Sequence, residues 1–377
     1  MNRDHLRTRL AWHVLPPAFA FLAARVLLWA VAAHLGVNAL STDSWSFCDS
    51  DHYLSVAERG YELFPCENIG YGKPGWWCGN AGWFPGYSWL IRLGTMAGLR
   101  PAMAGVILSA GFALASLSFL WIAWLESRPR ASSLLALVLA AVFPGMVYAH
   151  GVYPNSMFVF LVLIFLHAIA RNRFMIVAVS GFLAGLTYSS SFMLALVATS
   201  WGLASPTRAP WRRRIAHAFM GAAPVTLGVF AVFLVQRIST GAWNAYFLVQ
   251  GKYDVGLHNP LVVFARKFSV MGLAPVLQMV FVALLTITLV VATAWRHRAR
   301  PVESDQRDWL IALHGLVLWL VPLTQGGQIS IYRTDLALLP LVLLARHLPI
   351  VVQGFMVASA ATVAVLLGES FFLKLIQ

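Results

Sequence analysis

The chain has 377 residues, of which 59% are hydrophobic and 11% are charged, and its formal net charge is +13. A soluble domain carries roughly 25% charged residues, so water cannot be the main solvent of this surface and the bilayer is the default environment. The positive charge does not mark a nucleic-acid binder, because the basic residues sit in short clusters beside apolar runs with no contiguous basic face.

A spanning helix needs about 20 mainly apolar residues, and such runs recur from Leu15 to Phe372. The expected fold is therefore all-α, a polytopic membrane protein of about eleven helices, several of them short or broken. It forms one transmembrane domain over residues 1–377. The basic stretch 1–10 precedes an apolar run reaching about Val37, which exceeds the core of a cleaved signal peptide, so a retained first span is expected.

Arginine-rich loops mark the cytoplasmic side. The clusters are Arg3/Arg7/Arg9, Arg128/Arg130, Arg171/Arg173, Arg208/Arg212/Arg213/Arg214 and Arg296/Arg298/Arg300/Arg307. With all of them inside, the first span runs outward and leaves loop 38–83 outside. That loop holds Asp43, Asp49, Asp51, Glu58, Glu62 and Glu67 against Arg59 and Lys73.

Segment 83–99 is apolar but short and is expected to be interfacial or partial. Segments 102–125, 132–148 and 155–170 follow as alternating spans. Segment 174–204 begins and ends beside arginine clusters and so needs an even number of crossings. Two short helices are expected there, broken at Thr187-Tyr188-Ser189-Ser190-Ser191, whose hydroxyls can satisfy freed backbone groups. Segment 218–235 runs outward, 238–261 forms a second external loop and 270–294 returns. Segments 309–323, 336–344 and 350–372 complete the chain, with the C-terminus outside. The first two of these resemble half-helices around an external cavity.

Chemistry concentrates on the outer side. Asp49-Ser50-Asp51-His52-Tyr53 is the densest titratable cluster, and a carboxylate there can take the proton of an attacking hydroxyl; a solvated acidic turn is the plainer alternative. Asp49 and Asp51 have a weak divalent-metal spacing, to which His52 can add, so a divalent cation is possible though none is required. Trp76, Trp77, Trp83 and Phe84 stand among glycines, offering faces for a sugar ring or prenyl chain, or an interfacial aromatic belt. Cys48, Cys66 and Cys78 are the only cysteines. Proximity favours a Cys66–Cys78 disulfide, and their spacing does not match a zinc site. Gln250, Lys252, Tyr253, Asp254 and His258 gather in the second external loop, and Ser330, Ile331, Tyr332 and Arg333 in the third. Arg333 is the sharper candidate for holding a lipid phosphate, because its fork grips two oxygens at once. Lys252 and Arg333 can instead snorkel to lipid headgroups. Tyr148, His150, Tyr153 and Asn155 form a short polar turn that can line the same cavity.

The run from Cys48 to Tyr61 resembles the WD-x-x-HYL-x-IA-x-x-GY stretch of the GT-C mannosyltransferase family that adds the second mannose to GPI anchors and has bacterial relatives. Further on, 81–88 is similar to its FFP-x-YP element, and Tyr153-Pro154-Asn155-Ser156 with 181–187 is similar to its Y-x-E-S and G-x-x-x-G-x-T-R region. Gln250 and Tyr332-Arg333 fall where that family has a glutamine and an RY-like element. The match places the family's catalytic aspartate at Asp49, with Asp51 second. Cys48 replaces a Trp, Trp83 a Phe, Asn155 an acidic residue and Tyr188 an Arg.

The resemblance implies an inverting transfer of a hexose, mannose by preference, from a polyprenyl-phosphate sugar to an external lipid, glycan or protein acceptor. A bacterial inner-membrane location with the site facing the periplasm goes with it. A transporter or flippase for a lipid-linked sugar is the alternative. It would place charges deep in the spans, where Arg25 is the clearest one.

Overall fold

The computed structural model describes residues 3–125, 131–204, 210–253, 256–299, 306–326 and 331–376. Arg128, Arg130, Arg208, Asp254, Arg300 and Ser330 lie outside the described residues. The protein is an all-α polytopic membrane protein. Its elements in order are α1 (Arg3–His34), α2 (Asp49–Arg59), β1 (Leu63–Pro65), β2 (Trp77–Gly79), α3 (Pro85–Met96), α4 (Pro101–Leu120) and α5 (Ala131–Ala141). Then come α6 (Met146–His150), α7 (Asn155–Ala170), α8 (Phe174–Thr187), α9 (Phe192–Ala204), α10 (Trp211–Thr240), α11 (Ala245–Gly251) and α12 (Pro260–Val270). The last are α13 (Leu273–Ala299), α14 (Gln306–Gln325), α15 (Ile331–Thr334), α16 (Val342–Ala345) and α17 (Ile350–Phe372). Of the described helices, α1, α4, α10, α13, α14 and α17 are long and apolar enough to cross a membrane.

The expected break in 174–204 is present: α8 ends at Thr187, a single 3-10 turn covers Ser189–Ser191, and α9 begins at Phe192. Both halves pack along α10. Small residues let the backbones close up, as expected where lipid offers no hydrophobic drive between helices. Gly185 and Gly228 face each other so closely that a Cβ on Gly228 would stand 2.3 Å from the Phe182 carbonyl oxygen and 2.9 Å from the Gly185 Cα.

Three segments depart from the sequence expectation. Segment 132–148 is divided at Phe143-Pro144-Gly145, where Pro144 has no N–H to continue the ladder and Gly145 takes φ +85°. Segment 309–323 is no half-helix, because α14 starts earlier, at Gln306, and runs to full length. It can start there because Asp308, in its first turn, is satisfied by Arg296 at 3.4 Å, Arg346 at 3.2 Å and His347 at 2.8 Å. Between loop 238–261 and the span expected from 270 lies a helix not expected from the sequence, α12, begun by Pro260 and capped by the Asn259 side chain, which accepts from the Leu261 N–H.

The Asp308 cluster fixes one end of the bundle, where Arg346 also donates to the Trp124 carbonyl at 3.1 Å. Loop 38–83 lies at the other end. There β1 and β2 form a two-stranded antiparallel hairpin closed by a Cys66–Cys78 disulfide, and the C-terminal turn brings Lys374 over the Phe47 ring at 5.8 Å.

Gly228→Ala is expected to separate α8 from α10 and cost about 1–3 kcal/mol, seen as a lowered melting temperature in detergent. Gly354→Ala, where an added Cβ meets nothing within 4 Å, should leave the melt unchanged or slightly raised.

Candidate active site

Asp49 is placed by a short loop that is held from several sides. The buried Trp45 donates its indole N–H to the Ala39 carbonyl at 2.8 Å, and its own carbonyl accepts from the Val152 N–H at 2.9 Å. The Phe47 carbonyl accepts from the Tyr153 hydroxyl, and the Phe47 N–H donates to Ser50 Oγ at 3.0 Å. These bonds carry Cys48 through φ +51°, a conformation L residues disfavour, and α2 begins at the next residue. Asp49 and Asp51 occupy the first turn of α2, where the helix dipole favours carboxylates. The other face of α2 buries Tyr53, Val56 and Ala57 and packs on α3, with the Tyr53 and Tyr87 rings edge to face at 5.9 Å.

Arg333 reaches Asp49 across 284 residues of sequence: its Nη1 donates to Asp49 Oδ2 in an ion pair. The side chains are 13% and 30% exposed, so the pair is sheltered yet reachable. Arg333 sits on α15, a single turn too short to orient itself. Two buried side-chain amides hold it. Asn155 on α7 donates to the Arg333 carbonyl at 2.8 Å, and Gln278 on α13 donates to the Tyr332 carbonyl at 2.6 Å and to Asp335 at 3.1 Å. Irregular backbone within a membrane bundle needs such partners, because lipid supplies none.

Around this pair the second loop closes one side. His52 stacks on Trp83 with ring centroids 3.5 Å apart. Gln250 donates to the Gly82 carbonyl at 3.2 Å and Gln236 to the Ala81 carbonyl at 2.8 Å, so α10 and α11 grip the turn before Phe84. Gly82 lets the two segments approach closely: a Cβ there would lie 2.9 Å from Gln250 Nε2 and 3.0 Å from Val249 Cγ1. Phe84 is buried against Tyr246, with ring centroids at 5.7 Å. Lys252 lies beside the Cys78 sulfur at 4.0 Å and over the Tyr253 ring at 5.0 Å. Burial lowers the pKa of the Lys252 ammonium. Burial also lowers the pKa of His52, against the pull of the Asp49 carboxylate, so its imidazole stays neutral near pH 7.

The sequence-selected residues thus divide. Asp49, His52, Trp83, Arg333 and Lys252 gather at one place, and Tyr253 and Tyr153 feel the charges of Asp49 and Arg333. Asp51 is exposed beside them. Tyr332 turns inward against Tyr148, ring centroids 6.0 Å apart. Trp76 and Trp77 belong to the hairpin: Trp76 packs on Gly72 and under Lys73, and Trp77 pairs with Pro65. Of the three tryptophans, only Trp83 is seen against α2 among the described residues. Asn155 donates to the Arg333 carbonyl and Gln250 to the Gly82 carbonyl, so both brace the backbone of the site.

Gln278 escaped sequence reading, although a lone amide inside the apolar run of α13 was the available signal; Tyr188, which stands beside Arg333, Thr334 and Asn155, was noted in the helix break and as a family departure but not as a site residue. No group of three His, Cys, Asp or Glu side chains able to hold a metal occurs among the described residues.

The lowered His52 pKa sets a pH dependence. In the unfolded chain His52 protonates first as the pH falls, so below about pH 6 stability is lost progressively. Thermal melts between pH 8 and pH 5 should fall on the acid side, and His52→Gln should reduce that slope.

No family model and no curated protein matches the chain. Solved structures do. The oligosaccharyltransferase of Archaeoglobus fulgidus, tethered to an acceptor peptide, is similar with a TM-score of 0.55 and 10% identity over 96% of this chain and 55% of that one. The archaeal oligosaccharyltransferase AglB of the same organism, in complex with an inhibitory peptide and a dolichol-phosphate, is similar with a TM-score of 0.53 and 12% identity over 96% and 56%. The chain therefore spans just over half the length of the structures it matches, and at this identity the likeness establishes the fold, which is of the GT-C type.

Proposed function

We propose that this chain is a glycosyltransferase that moves a hexose, mannose by preference, from a polyprenyl-phosphate sugar to an acceptor hydroxyl with inversion. The single observation that carries the reading is the Asp49–Arg333 pair at the end of the bundle that holds loop 38–83. A similar structure is described with a dolichol-phosphate and a peptide, which supports a lipid-phosphate donor on this fold. A greasy donor reaches such a site from within the bilayer, so no soluble nucleotide sugar is required. The location that fits is a bacterial inner membrane with the site facing the periplasm.

In this scheme the acceptor oxygen forms a bond to the anomeric carbon while the bond from that carbon to the phosphate oxygen breaks. Asp49 takes the acceptor proton. The departing phosphate keeps the bonding electrons, and Arg333 with Lys252 stabilises its charge. A guanidinium has five donors, so Arg333 can hold Asp49 and a phosphate oxygen together. As phosphate draws the guanidinium, its hold on Asp49 weakens and the carboxylate becomes the better base. His52 and Trp83 together form a wall for the sugar ring, and Asp51 is the second candidate base. No step requires a metal ion. The finer resemblance to the second-mannose transferases of GPI anchors is the basis for naming mannose; lipid, glycan and protein acceptors all fit this chemistry. The rival reading as a transporter or flippase draws no support from Arg25, the one deep cation picked out in the spans, because it is held by Trp45 and the His150 carbonyl.

With polyprenyl-phosphate mannose in proteoliposomes, Asp49→Asn should lower the rate of polyprenyl phosphate release by about 10²–10⁴-fold, and Asp51→Asn by less than about tenfold. Arg333→Lys keeps the charge but loses the fork, and should lower kcat by about 10²–10³-fold and raise the donor KM. An Asp49→Asn protein that transfers sugar at the normal rate overturns the assignment.

A further inference from the structure

Arg25 lies inside the span Ala11–His34 and is not part of the Asp49–Arg333 site. Its guanidinium packs on the Trp45 ring at 4.1 Å, lies 5.7 Å from the Trp29 ring, and donates once, to the His150 carbonyl at 3.3 Å. Among the described residues it has no carboxylate partner and no other hydrogen bond. Trp45 is 1% exposed and Trp29 is 38% exposed, so one ring belongs to the core and the other to the bilayer-facing surface.

A cation at this level of a bilayer is costly without an anion, and an arginine that merely snorkels extends toward water. Arg25 instead folds onto a buried ring and a buried carbonyl, which fixes its plane and leaves most of its five donors for something outside the protein. The anion available at a bilayer-facing surface is a lipid phosphate, whose oxygens match the guanidinium fork, and Trp29 suits the boundary between headgroup and chain.

We propose that Arg25, Trp29 and Trp45 form a second site, separate from Asp49 and Arg333, that binds the phosphate of a membrane lipid. Trp45 heads the loop that delivers Asp49, so an occupied site braces that loop. The proposal does not depend on sugar transfer.

The test is binding of phosphatidylglycerol to the purified full chain in detergent, followed by native mass spectrometry, with diacylglycerol as the phosphate-free control. Wild type is expected to retain phosphatidylglycerol and not diacylglycerol. Arg25→Gln should weaken retention by about tenfold and Trp29→Leu by a few-fold, with Gly354→Ala, remote from both sites, unchanged. Trp29 is surface-exposed, so Trp29→Leu decides the matter if Arg25→Gln does not fold. Retention at the wild-type level in folded Arg25→Gln, or in Trp29→Leu where Arg25→Gln does not fold, overturns the site. Competition by millimolar inorganic phosphate overturns the lipid assignment.

Discussion

One ion pair organises the site end of this bundle. Asp49 belongs to a helix that begins just after the first span, and Arg333 to a single turn before the last one, yet their side chains meet. A sheltered pair of opposite charges is stable only if both partners are held, because losing either leaves the other uncompensated. The surrounding structure does that holding. Tyr153 and Ser50 fix the strained loop before Asp49, while Asn155 and Gln278 supply the amides that α15 lacks as a helix.

The same constraint explains which features were legible in the sequence. Composition made the six long apolar helices legible because the bilayer imposes a length rule that needs no tertiary knowledge. The broken helix at 187–191 was legible because its flanking arginines demanded an even number of crossings. The pause at Pro144-Gly145 was not, since a hydrophobic run masks a break that only its neighbours make tolerable. Helix α12 was missed for the opposite reason. It is short, polar on one side and set among loop residues, so it looked like the loop around it.

At the site, residue type foretold location better than role. Asp49 and Arg333, from loops far apart in the sequence, meet as an ion pair, because charges collect where lipid does not. Asn155 and Gln250 could not be assigned from sequence, since an amide facing a ligand and an amide holding a carbonyl are written identically. Their partners, the Arg333 and Gly82 carbonyls, come from distant parts of the chain. Trp76 and Trp77 were grouped with Trp83 by proximity in sequence, but the hairpin and its disulfide carry them onto a separate element.

The central claim is that Asp49 and Arg333 are coupled in the folded protein. A double-mutant cycle of Asp49→Asn and Arg333→Gln, read from melting in detergent, measures that coupling without any assumption about activity. The structure predicts that the double variant loses less stability than the two single variants combined, with an interaction of about 1–3 kcal/mol. Additivity within about 0.3 kcal/mol would contradict it.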